Sequence, residues 1–250
     1  MKLSDALYLQ FGTFPMPRVT HVRISDAPEA LDGLRILFVS DVHLRKSVPE
    51  AKLDTLISIL EAQHADLLLL GGDYVEKPSP CARFFNALKP LRFPLGMFAV
   101  PGNNDDPAVL AKCAKNAGVR LLVNDTAKIR FHGFSFEVAG CDDHKYGTPD
   151  TSRLFSPDAG YRIMLSHFPT LPDCGCDLQF SGHTHGGQIN VFGLTAYALR
   201  FENKYNIAGI IGDHRVGNTR LLISNGVGVS RLPIRFGAYP EILLADFSRE

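Results

Sequence analysis

Along the first half of the chain, apolar residues alternate between two spacings. Residues 34–40 form a short β-branched and aromatic run ending in polar residues, the pattern of a buried strand feeding a loop. Leu53, Leu56, Ile57 and Leu60 then recur at helical spacing. Residues 66–70 read as a second strand, stopped by Gly71-Gly72. Phe84 and Leu88 mark another helix, and residues 96–100 a third strand, stopped by Pro101-Gly102. Asp106 followed by Pro107 predicts an N-cap and first position for a helix through about Ala117, because proline is tolerated at the first helical position.

Strands alternating with helices predict a largely parallel sheet covered by helices. Beyond Ala117 the pattern changes. Residues 119–123, 127–132, 134–139, 161–165, 178–180, 220–224 and 241–247 read as strands, and few helical stretches separate them. This predicts a second sheet packed on the first. With no internal repeat or flexible linker, residues 1–250 read as one α/β domain, in which the strands of 191–250 complete the second sheet.

Charge excludes one class of partner. Lys+Arg and Asp+Glu both number 26, so the chain lacks the basic footprint of a nucleic-acid binder. Attraction for phosphate must have a local source such as bound metal. The five cysteines are scattered, with no C-x-x-C pair, so a zinc knuckle is not indicated and the compartment reads as reducing, cytoplasmic. Cys174-Gly175-Cys176 reads as a turn with reduced thiols. No apolar run approaches the ~20 residues of a membrane span, and no signal peptide is evident. The mildly apolar stretch 6–16 is broken by Gln10, Gly12, Pro15 and Pro17; it lies on the domain or makes peripheral contact with a membrane.

The candidate chemistry sits where the strand runs end. These ends supply Asp41-Val42-His43, Gly72-Asp73, Gly102-Asn103-Asn104-Asp105, Ser166-His167 and Ser181-Gly182-His183-Thr184-His185-Gly186-Gly187. Open α/β sheets bind ligands outside the carboxyl ends of their strands, so five segments would converge on one crevice. In an extended segment residues i and i+2 point the same way, which pairs Asp41 with His43 and His183 with His185. Asp, His and one Asn suit Mn²⁺, Fe²⁺, Zn²⁺ or Ni²⁺ better than Ca²⁺ or Mg²⁺. Each fragment alone reads more simply as a loop, a turn or a core histidine. Their order and placement together are what indicate a metal site.

This set of blocks resembles the five-block signature of calcineurin-like metallophosphoesterases, across roughly residues 34–190. The Gly-His-Thr-His-Gly-Gly-Gln188 block is similar to the bacterial YkuE/YaeI-type phosphodiesterase subgroup, as is the tail 224–235 followed by Pro240-Glu241. The resemblance implies a four-layer α/β/β/α sandwich with two mixed sheets flanked by helices. It implies two divalent metal ions, one held by Asp41, His43 and His185, the other by Asn103, His167 and His183, with Asp73 and a hydroxide bridging them. Two carboxylates and a hydroxide against two divalent ions leave about one positive charge for an anionic substrate. The implied activity is phosphohydrolysis of a diester or anhydride. A phosphomonoesterase and a non-catalytic scaffold of the same fold are the alternatives.

One block departs from the family. The histidine that normally follows the ligand asparagine is Asn104 here. An amide donates a hydrogen bond but gives up no proton at neutral pH, and losing a general acid costs about 10²–10⁴-fold in rate. Alkoxide leaving groups suffer most. This points to anhydrides or activated diesters, and the UDP-diacylglucosamine hydrolases, which also lack this histidine, are similar. The substrate implied is a phosphate-containing small molecule or a lipid-linked nucleotide. Asp73 and Asn104 are the catalytic candidates; Asn104, Asp143, Arg231 and Arg235 are candidates to contact substrate. Asp105 and Gln188 are candidates to support the ligands, Gln188 by orienting His183 or His185. His21, His64, His132 and His214 match no block and read as surface or core residues.

Overall fold

The computed structural model describes residues 8–76, 80–170, 175–195 and 207–249. Cys174 and the first two residues of the 6–16 stretch lie outside them. The first half runs β1 (Leu9–Phe11), β2 (Arg18–Ile24), β3 (Arg35–Val39), α1 (Glu50–Glu61), β4 (Leu67–Leu70), α2 (Cys81–Leu88), β5 (Met97–Ala99), α3 (Pro107–Asn116) and β6 (Arg120–Leu121). Then come β7 (Asp125–Phe131), β8 (Phe134–Gly140), β9 (Arg162–Leu165), β10 (Leu178–Ser181), β11 (Asn190–Val191), β12 (Leu194–Thr195), β13 (Gly212–Val216), β14 (Thr219–Ile223), β15 (Ile234–Phe236) and β16 (Glu241–Phe247).

Two six-stranded mixed sheets form the sandwich, in orders β2-β16-β3-β4-β5-β6 and β13-β14-β10-β9-β8-β7. In the first, β3 through β6 are parallel; in the second, β8, β9, β10 and β14 are. Period-two alternation divides the first sheet between two cores. Leu37, Val39, Leu68, Leu70, Ile242 and Leu244 face α1–α3, meeting Leu53, Leu56, Leu60, Phe84, Phe85 and Leu110. Ile36, Phe38, Leu67, Leu69, Leu243 and Phe247 face the second sheet, meeting Phe136, Val138, Ile163, Leu165 and Phe180. Because β3 and β4 are buried on both faces, they read as continuous apolar runs. The Asp106 side chain caps α3 by accepting from Val109 N at 3.0 Å, as its sequence predicts.

One feature differs from the sequence expectation. The strands of 191–250 do not all complete the second sheet: β13 and β14 join it, but β16 inserts into the first between β2 and β3, and β15 pairs with β1. On the second sheet, the loop residues Leu154 and Phe155 pack against Ala139 and Met164. The sheets carry their parallel strands' carboxyl ends to one rim, and that rim positions the site.

Candidate metal centre

Asp41, two residues beyond β3, has two carboxylate oxygens in different situations. Oδ2 accepts from Ser40 Oγ and from His183 N at 2.9 Å. Oδ1 is buried with no hydrogen-bond partner, 3.4 Å from His185 Nε2 and 3.8 Å from His43 Nε2. The two ring nitrogens are themselves 3.1 Å apart. A second cluster lies alongside: His167 Nε2 faces His183 Nδ1 at 3.2 Å. Asp73 Oδ2 stands between the clusters, 3.5 Å from His43 Nε2 and 3.5 Å from His167 Nε2. Asn103 contributes a buried Oδ1 without a partner.

These residues fit divalent cations. Two orphaned buried oxygens are costly unless something positive meets them. Two donors each about 2.1 Å from one cation lie roughly 3.0–3.4 Å apart, the separation seen in both histidine pairs. Asp41, His43 and His185 form one group able to hold an ion; Asp41, Asp73 and His167 form another.

The backbone does not deliver these side chains as the sequence predicts. Asp41, His43, Asp73, His183 and His185 all have left-handed φ, between 44° and 68°. The loops are therefore not extended. Asp41 and His43 still converge, but His183 and His185 turn apart, one to each cluster. Such conformations persist only where surroundings over-determine them. Here Asp41 N donates to Gly72 O, and His43 N to Asp73 O. Asp105 Oδ2 accepts from Asp73 N and Gly102 N, and its Oδ1 from Tyr74 N. The buried Tyr74 hydroxyl donates to Leu70 O or Val100 O and accepts from Gly72 N. Gly102 and Gly182 leave no room for a side chain: a Cβ would strike the Asp73 and Asp41 carboxylates, respectively.

Burial favours the neutral acids, yet His185 beside Asp41 and His167 beside Asp73 hold both carboxyls well below the usual range. Burial likewise opposes charge on His43 and His167, but Asp41 and Asp73 raise them to about 9 and about 10. His185 is pushed down to about 3 by burial, and His183 well down by burial and the neighbouring His167. Burial and the Asp73 charge push Asp105 up to about 7.

The remaining candidates divide. The Asn104 backbone N–H and Nδ2 donate to Asp73 at 2.7 and 2.6 Å, so it orients the central carboxylate. Asp143 Oδ1 caps a turn by accepting from Lys145 N and Tyr146 N. Arg231 is exposed on a left-handed turn. Arg235, expected to reach substrate, is instead fully buried; its guanidinium donates to the carbonyls of Gly228, Asn225, Ala238 and His185 and approaches His185 Nδ1 at 3.3 Å. Gln188, expected to orient His183 or His185, clips another loop: Nε2 donates to Leu232 O and Oε1 accepts from Ser230 N. Two positioning contacts were missed. Glu76 Oε1 receives His43 Nδ1 at 3.1 Å, and Gly71 O receives His167 Nδ1 at 2.7 Å. A carboxylate three residues after Asp73, on the loop facing His43, was the available signal for the first.

The chain belongs to the calcineurin-like phosphoesterase family, whose model matches residues 34–187. It is thereby a metal-dependent phosphoric ester hydrolase. The metallophosphoesterase YkuE of Bacillus subtilis is 30% identical over 235 residues, covering 88% of this chain and 81% of that one. The phosphodiesterase YaeI of Escherichia coli is 30% identical over 227 residues, covering 85% and 81%. The crystal structure of TT1561 of Thermus thermophilus superposes with a TM-score of 0.48 at 14% identity, over 77% of this chain and 89% of that one. No helix among the described residues is long and apolar enough to cross a membrane.

Proposed function

We infer that the protein is a two-metal phosphohydrolase acting on phosphodiester or phosphoanhydride bonds. The observation that carries this reading is the position of Asp73 Oδ2, 3.5 Å from one nitrogen of each histidine cluster. In this reading Asp41, His43 and His185 would hold one cation, Asn103, His167 and His183 would hold the other, and Asp73 would serve both. When bound, divalent cations supply a hydroxide nucleophile near neutral pH and offset charge on the phosphoryl oxygens. Glu76 and Gly71 O fix the rings of His43 and His167 by accepting from Nδ1, which leaves each Nε2 lone pair aimed inward. Asn104 holds Asp73 and offers the leaving group no proton, which favours leaving groups that depart as stable anions.

The test is hydrolysis of bis-p-nitrophenyl phosphate by metal-stripped protein reloaded with Mn²⁺, with bound metal counted on the same sample. Two ions per chain and turnover lost in Asp73→Asn are expected. One ion per chain, or full turnover in the variant, overturns the shared-carboxylate reading.

A further inference from the structure

Strand β15 has two unlike faces. Arg235 points inward to the loop of His185, while its neighbours Ile234 and Phe236 point the other way. Strand β1 pairs antiparallel with β15, setting Leu9 against Phe236 and Phe11 against Ile234. On the far side of β15, Ile189 bridges Phe236. The chain continues into the hairpin of β11 and β12, where Val191 pairs with Leu194 around the tip Phe192-Gly193. Cross-strand partners share a face, so these side chains form one continuous outward surface.

That surface is exposed and apolar. Of the eleven exposed large hydrophobic residues among those described, seven belong here: Leu9, Phe11, Ile189, Val191, Phe192, Leu194 and Leu232. Phe11 is 72% exposed, Leu194 70% and Phe192 66%. At about 200 Å² for a large apolar side chain, the patch exposes on the order of 800 Å². The largest patch on a typical monomer is about 300–600 Å². The charged side chains on it are basic. The segments that make this face, residues 9–11, 189–195 and 231–236, hold Arg231 and Arg235 and no aspartate or glutamate, and Arg235 is buried. Arg231 stands exposed beside Leu232, and Arg18 is exposed at the start of β2.

We propose that this face seats on the surface of a bilayer containing anionic lipid. A protruding apolar ridge with Arg18 and Arg231 exposed beside it, and no acid in its own strands, complements anionic headgroups over an acyl layer. A second copy of the chain complements it poorly: a two-fold interface sets the same arginine-bearing, acid-free face against itself. Seating leaves one strand, β15, between the lipid and the loop of His185.

The chain contains no tryptophan, so Phe192→Trp introduces a single reporter at the hairpin tip. Its emission is expected to shift to the blue when phosphatidylglycerol-containing vesicles are added, and not with phosphatidylcholine alone. Co-sedimentation with the same vesicles is expected to weaken about tenfold or more in the triple variant Phe11→Ser, Phe192→Ser, Leu194→Ser. Turnover of the soluble diester stays unchanged in that variant, which separates this proposal from the catalytic one and shows that the variant folds. An emission maximum indifferent to vesicles overturns the proposal. So does a blue shift that depends on protein concentration without vesicles, since that identifies a second copy as the occupant.

Discussion

Replacing Arg235 by methionine tests whether this residue supports the site from behind rather than binding substrate. Its guanidinium is wholly buried and serves five backbone carbonyls. Two of these keep another donor: His185 O accepts from Gln188 N, and Gly226 O from Glu241 N. The carbonyls of Gly228, Asn225 and Ala238 have no other hydrogen-bond donor among the described residues. Leaving three buried acceptors unmet costs about 1–3 kcal/mol each. Part of this is returned. Burial lowers the Arg235 pKa from 12.5 to about 10, which corresponds to about 3 kcal/mol of cost to the charged form that methionine removes. The net loss is about 3 kcal/mol, a large share of a typical domain's 5–15 kcal/mol. With a urea slope of about 3 kcal/mol per M, the unfolding midpoint should fall by about 1 M at constant slope. Metal affinity should fall about 10–100-fold, because the loop carrying His185 loses its tether. A midpoint within about 0.3 M of wild type, with unchanged metal affinity, would refute the reasoning. It would mean that water replaces the guanidinium at no cost, leaving His185 positioned by other contacts.

Four further outcomes follow from the same geometry. Asn104→His should raise turnover on alkyl esters relative to p-nitrophenyl esters by about 10²-fold or more, since only poor leaving groups need the proton; equal gains on both would sink the leaving-group argument. Glu76→Gln should weaken metal binding about 10–100-fold by loosening the His43 ring, read by competition with a chromogenic chelator. Gly102→Ala should abolish both metal loading and turnover, because its Cβ would occupy the space of the Asp73 carboxylate; a fully active variant would show that the loop yields. In the metal-free chain, His43 at about 9 and His167 at about 10 lie above the unfolded 6.5. Their contribution is therefore complete below pH 6.5 and is lost as pH rises through 9 to 10. Metal loading near pH 7.5 should accordingly release protons into weak buffer, and a pH-independent metal-free stability between pH 7 and 9 would contradict it.

Much of the fold was legible because the buried strands announce themselves. In β3 and β4 both faces are covered, so runs such as Leu67–Leu70 stand out without an alternating pattern. The ligand candidates were legible for a related reason: each follows directly on such a run. Strand β2 was not foreseen. It is an edge strand with mostly partial exposure, and its sequence Arg-Val-Thr-His-Val-Arg-Ile carries too little apolar contrast. The placement of β16 was out of reach as well. Its residues read correctly as a strand, but local pattern says nothing of which sheet a C-terminal strand joins.

The misassigned arginine and the unforeseen backbone have a common physical origin. A sequence window around Arg235 shows only a basic residue in a loop-rich tail. Its burial arises because the turn 185–188, the loop 225–228 and Ala238 close around it. Likewise, nothing in Asp-Val-His or His-Thr-His specifies φ > 0, although Asp and His are among the non-glycine residues that accept it more readily. Five such residues cost roughly 1 kcal/mol each, about 5 kcal/mol together. This is comparable with the stability of many whole domains. Asp105, Tyr74 and Arg235, which touch the loops from behind, are what offset that strain, and bound cations would add to it by satisfying Asp41 Oδ1 and Asn103 Oδ1. The strain and the orphaned oxygens are thus two aspects of one arrangement: loops bent to aim donors inward, at a conformational cost that only their supports and their ligands can balance.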